Sequence, residues 1–106
     1  MTDDPQIVLC TVPDESVAQQ IASALVDERL AACVNIVAGI TSVYRWQGAV
    51  ERAAELLLII KTNAAVYPRL QDRVRVLHPY ELPEIIAVSP AGGLPDYFAW
   101  LSNSLE

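Results

Sequence analysis

Cys10 and His78 offer a thiol and an imidazole, donor types that suit copper or zinc better than magnesium or calcium. His78 is the single histidine of the chain, so any Ser-His-Asp or Cys-His arrangement would have to be built on it. No GxGxxG, Walker loop, HExxH or GxSxG stands elsewhere in the sequence. An enzyme therefore has the least support among the broad function classes. Each residue also has a plainer reading. Free cysteine is commonly a small buried hydrophobe, and a histidine fixed before a proline serves equally well as a hydrogen-bonding group of its loop.

The elements that must position these groups follow from periodicity. Gln6 to Val12 reads as a buried strand. Pro13-Asp14-Glu15-Ser16 opens a helix, with carboxylates in the first turn where the dipole favours them. Val17, Ile21, Leu25 and Val26 form its apolar stripe, and it is expected to end near Leu30. Residues 31–63 read as one β-hairpin, with Gln47-Gly48 as the turn and arms rich in Val, Ile and Thr but free of proline. A second helix spans 65–77, with Pro68 in its first turn. Pro79 and Pro83 then stiffen the loop His78–Glu84. A short strand over 85–89 and a helix over 95–105 complete the chain.

The hairpin is too long for the domain that carries it. About 15 residues at roughly 3.3 Å each give an arm of about 50 Å. A compact chain of this length has a radius of gyration of about 13 Å. The tip must bend sharply or project and pair with something else, which predicts an oligomer.

The order β-α-β-β-α-β-α predicts an α+β fold in a single domain over residues 1–106. Two split β-α-β units make a ferredoxin-like sandwich with an added C-terminal helix and an antiparallel sheet of order 4-1-3-2. That topology puts Cys10 and His78 at one rim, because the 78–84 loop feeds strand 4 at the end where strand 1 finishes. Glu55 interrupts the apolar return arm. It is either solvated on the projecting arm or a third polar group at that rim. Glu81 and Glu84 hold the loop or line a subunit cleft. Cys33 begins strand 2 at the opposite end, where a disulfide to Cys10 is geometrically implausible and a reduced, structural thiol is expected.

Composition narrows the partners. The chain has 106 residues, 53% of them hydrophobic, with 13 acidic against 7 basic side chains and a net charge of −6. That balance disfavours nucleic acid and favours cations. No window approaches the roughly 18 apolar residues of a membrane span, and the acidic start is unlike a signal peptide. Two cysteines are too few for a disulfide scaffold and point to a reducing, cytoplasmic setting. The surplus of apolar residues is most simply buried against copies of the same chain.

Four segments together resemble the CutA divalent-ion tolerance family: residues 28–36 (ERLAACVNI), residues 42–48 (SVYRWQG) with Glu55 and Lys61-Thr62, residues 78–85 (HPYELPEI) and residues 96–101 (DYFAWL). The resemblance implies a ferredoxin-like subunit and a tight homotrimer in which the long strands pair across subunits. That architecture is similar to the trimeric PII signalling proteins. It also implies a cytoplasmic role in tolerance of divalent metals, chiefly copper as Cu(I) or Cu(II), with zinc second. Metal contacts of the family map onto Cys10 and His78. The sequence departs from some members at Leu77, where they carry a second histidine.

Two functions follow. One is a trimeric metal-binding protein using Cys10, His78 and Glu55. The other is a PII-like trimer that binds a small-molecule effector in clefts between subunits, shaped by Tyr44, Trp46, Tyr80 and the proline-stiffened loop. A further partner protein that reads the trimer is left open.

Overall fold

The computed structural model describes residues 4–106. Strand β1 (Pro5–Val12) leads into helix α1 (Glu15–Asp27), which Asp14 caps by accepting a hydrogen bond from the Val17 N–H at 2.9 Å. Strands β2 (Cys33–Trp46) and β3 (Ala49–Asn63) form the hairpin, closed by Gln47 and Gly48 at positive φ. Helix α2 (Tyr67–Leu77), the short strand β4 (Ile86–Val88) and helix α3 (Pro95–Asn103) follow. The sheet runs β2-β3-β1-β4 and every pairing is antiparallel. This is the ferredoxin-like order expected, with α3 added at the end.

Helix α1 ends three residues earlier than its periodicity suggests, for a local reason. Arg29 adopts φ 60°, and the Leu30 and Arg29 N–H groups return to the carbonyls of Leu25 and Val26. That is a Schellman closure with arginine in the position glycine usually fills. Helix α2 starts two residues late because Asn63 Oδ1 accepts the Val66 N–H at 3.0 Å and holds the preceding turn. Strand β4 keeps only three residues, since its pairing with β1 covers Ile7 to Leu9 alone.

Strand alternation sorts the residues into two faces. Val8, Cys10 and Val12 of β1 share a face with Leu58 and Ile60 of β3 and Val34 and Ile36 of β2. Under the helices this face packs with Ile21, Leu25, Leu70 and Val74 into the core. The other face carries Ile7, Leu9, Leu57 and Ile59, all half-buried. The hairpin projects. Its strands run past the end of β1, and the molecule measures 44 × 27 × 23 Å. Val43, Tyr44, Trp46 and Val50 stand exposed on it.

Arg29→Gly should stabilise the fold by about 0.5–1 kcal/mol, because glycine adopts the left-handed conformation without the Cβ penalty. Thermal unfolding of the variant beside the parent protein checks this; an unchanged or lowered midpoint contradicts it.

Candidate functional site

The rim is assembled by three elements. Cys10 lies on β1 directly opposite Leu58, on the helix-covered face, and is fully buried. Glu55 lies on β3 beyond the last residue paired with β1, on the opposite face. His78 caps the C-terminus of α2 and starts the proline loop.

A bulge in β2 completes the arrangement. Val37 pairs with Leu57 and Ile40 with Glu55, so Ala38 and Gly39 together oppose only Leu56. Gly39 takes φ 81°, as such a bulge requires. The extra residue reverses the parity of the strand. Ser42, Tyr44 and Trp46 are thereby turned to the face of Glu55.

His78 is fully engaged. Its Nε2 lies 2.8 Å from the carbonyl oxygen of Thr11, and its Nδ1 accepts the Tyr80 N–H at 3.1 Å. A carbonyl can only accept, so Nε2 carries the proton and the ring is neutral in this arrangement. The loop then carries Tyr80 round the rim, where its hydroxyl donates to Glu55 Oε2 at 2.6 Å. Burial, followed by the bond to Glu55 and its charge, raises the Tyr80 pKa, so the phenol stays a donor. Burial, then the charges of Glu84 and Glu55, push the Cys10 thiol from its ordinary 9.0 up to about 12.

The sequence-derived set Cys10, His78 and Glu55 thus shares one rim but does not converge on a point. The alternation of β1 and β3 directs the thiol into the core and the carboxylate to the other face. Among the described residues, no three His, Cys, Asp or Glu side chains are close enough together to hold a metal ion. What does converge is a cleft of about 700 Å³ on the Glu55 face. Ser42, Val43, Tyr44, Trp46 and Glu55 line it from the arm, Thr11 from β1, and Pro79, Tyr80, Glu81, Leu82 and Glu84 from the loop. Sequence reasoning gave the aromatic residues to clefts between subunits, and within one chain they already meet the loop; it missed Thr11, Ser42 and Val43. Thr11 reaches this face through the pairing of β1 with β3, and Ser42 through the bulge. Cys33 opens β2 across from Lys61, at the far end of the sheet, and both cysteines are free.

The raised Cys10 pKa has a definite sign. The unfolded chain sheds this proton near pH 9, whereas the folded chain keeps it until about 12. The stability this contributes is complete below pH 9 and is lost as pH rises toward 12. Between pH 9 and 11, the thermal midpoint of the parent protein should fall more steeply than that of Cys10→Ala. Parallel slopes would contradict the assignment.

With this geometry in hand, the chain can be set beside known proteins. The profile of the family described as "CutA1 divalent ion tolerance protein" matches residues 6–104. The Thermus thermophilus protein described as "Divalent-cation tolerance protein CutA" is 57% identical over 99 residues, covering 93% of this chain and 96% of that one. The human "Protein CutA" is 46% identical over 96 residues, 91% of this chain and 54% of its own length. This chain therefore spans about half of such animal relatives. The solved Thermus thermophilus structure superposes with a TM-score of 0.94 at 54% identity, covering 96% of this chain and 99% of that one. A CutA crystal structure from Xylella fastidiosa gives 0.95 at 45% identity, covering 97% and 99%. The family description and those of the Thermus thermophilus protein and structure name tolerance of divalent cations or ions. By profile, identity and fold alike, the chain belongs to the CutA divalent-ion tolerance family.

Proposed function

We propose that this chain serves divalent-cation tolerance as a homotrimer of PII-like architecture, and that the rim cleft takes a small-molecule effector. The observation that carries this reading is the cleft itself. In one chain it has the volume of a small-molecule site and combines aromatic walls with a few polar groups, and in the trimer its arm wall places it between subunits. The homotrimer is supported by the projecting arm with its exposed Val43, Tyr44, Trp46 and Val50, and by Ile86 and Val88 exposed on β4. A reducing compartment such as the cytoplasm suits two free thiols. No helix among the described residues is long and apolar enough to cross a membrane.

Light scattering on the eluted protein should give three times the 11.6 kDa of one chain. A thermal-shift screen of metabolites should find compounds that stabilise this species and lose their effect in Trp46→Ala. A monomer with no stabilising compound would overturn the reading.

A second reading is direct binding of copper, as Cu(I) or Cu(II), ahead of zinc, by Cys10 with His78 and Glu55. It is supported by the divalent-cation tolerance named for the Thermus thermophilus relative and by the way Thr11 joins Cys10 in sequence to His78 by a hydrogen bond. On this reading the thiol loses its proton and the loop from His78 to Glu84 opens to admit the ion. Titration with copper should release about one proton per ion bound, and Cys10→Ser and His78→Ala should each weaken binding more than tenfold. Tight binding that survives both substitutions would remove this set.

A further inference from the structure

The bulge at Ala38-Gly39 sorts the charges of the arm as well as its aromatic residues. Side chains that oppose one another across an antiparallel pair share a face. One face of the arm carries Tyr44, Trp46, Glu51 and Glu55, and it continues into the loop at Glu81 and Glu84. The alternate residues point the other way, with Arg52 opposite Val43 and Arg45 opposite Val50. One side of the ribbon is therefore acidic and aromatic, and the other is basic and aliphatic.

The two arginines have no partner inside the chain. Arg69 and Arg73 each hold a carboxylate, those of Glu106 and Glu28. Among the described residues, no acceptor holds Arg45 or Arg52, and both stand exposed beside the exposed Val43 and Val50. Glu51, Glu81 and Glu84 are equally open on the far side. The ribbon itself lies between the two sets, so they do not meet within one copy.

This division decides how copies can meet. A two-fold contact through either face would set acid on acid or arginine on arginine, which like charge opposes. A head-to-tail contact sets the basic face of one copy on the acidic face of the next. Such contacts close into a ring when the rotation allows, and a ring of three is the assembly proposed above. Arginine suits the seat. Its guanidinium plane stacks on aromatic faces, which Tyr44, Trp46 and Tyr80 offer, while its N–H groups fork onto carboxylates. Val43 and Val50 would cover apolar surface there, of which Leu82 is the most exposed part.

We propose that a second copy of this chain closes the rim cleft, with Arg45 and Arg52 of the partner subunit paired to Glu51, Glu81 and Glu84. This rests on the homotrimer proposed above and names the contact that joins one subunit to the next. An effector in the cleft then meets acidic groups from one subunit and basic groups from the other.

Charge reversal, read by light scattering over a dilution series, tests the pairing. The series is run in enough urea to bring the parent's own dissociation into range, and Glu55 is left alone because Tyr80 holds it. Arg45→Glu with Arg52→Glu should raise the concentration of half-dissociation at least about tenfold, and Glu51→Arg with Glu81→Arg should do the same. The chain carrying all four changes should return to within about threefold of the parent, since each reversed face again meets its opposite. Arg75→Glu, on the exposed side of α2, should leave dissociation unchanged. Reversals that leave dissociation at the parent's value would overturn the pairing, as would a four-change chain no better than either pair; the trimer and its effector would survive both results. A parent that is itself a monomer would remove the trimer and this contact together.

Discussion

Strand β3 is the member on which the rest of the molecule depends. Its inner half is paired on both sides, to β1 from Leu56 to Asn63 and to β2 from Leu57 to Lys61, while its outer half has β2 alone. Because side chains alternate with a period of two, this one register decides what faces the helices and what faces the cleft. Leu58 and Ile60 enter the core with Cys10 opposite Leu58, and Glu55 is left on the other side. A slip of one residue would exchange the two sets, placing a carboxylate in the core and leucines in the cleft. Glu55 is buried where Tyr80 can pair with it, and a slip would bury the same charge without that partner, which holds the register.

Much of this was legible in the residues. The hairpin's Val, Ile and Thr content, its Gln47-Gly48 turn and its length gave both the projecting arm and the antiparallel order. The proline pair fixed the loop that carries His78 and Tyr80. The sequence could also bring Cys10, His78 and Glu55 to one rim, because topology decides which end of a strand a residue reaches. It could not tell that Cys10 and Glu55 look in opposite directions, since that depends on pairing register. Nor did it disclose the bulge at Ala38-Gly39, whose left-handed glycine turns Tyr44 and Trp46 toward Glu55. The hydrogen bonds of His78 were equally hidden. One of its partners is a backbone carbonyl and the other a backbone N–H, groups that every residue possesses.

These details redistribute the chemistry of the rim. A soft metal needs a thiolate and an imidazole nitrogen with a free lone pair. Here the thiol is held protonated by burial and by two neighbouring carboxylates. The imidazole has one nitrogen protonated and the other accepting a hydrogen bond. Loading that pair means deprotonating one group and breaking the contacts of the other. The cleft asks for nothing comparable. Glu81 and Glu84 are exposed, and Glu55 already has its partner in Tyr80. Of the residues most suggestive of a metal in the sequence, His78 and Glu55 tie the loop to the sheet and Cys10 packs in the core, while the open surface belongs to aromatic and acidic side chains.

The cleft has walls from two parts that differ in stiffness. The loop is pinned at His78 by Thr11 and by the Tyr80 N–H, again at Tyr80 by Glu55, and is stiffened by two prolines. The arm beyond Glu55 is a two-stranded ribbon with a bulge at its root, and such a ribbon is marginally stable alone and bends where pairing is interrupted. Between a rigid wall and a compliant one, an occupant of the cleft acts mainly on the compliant one. The same arm bears the exposed Val43, Tyr44, Trp46 and Val50, the surface best suited to meet another copy. The cleft wall and the most exposed apolar surface therefore lie on one ribbon, and the hydrogen bond from Tyr80 to Glu55 ties its root to the loop.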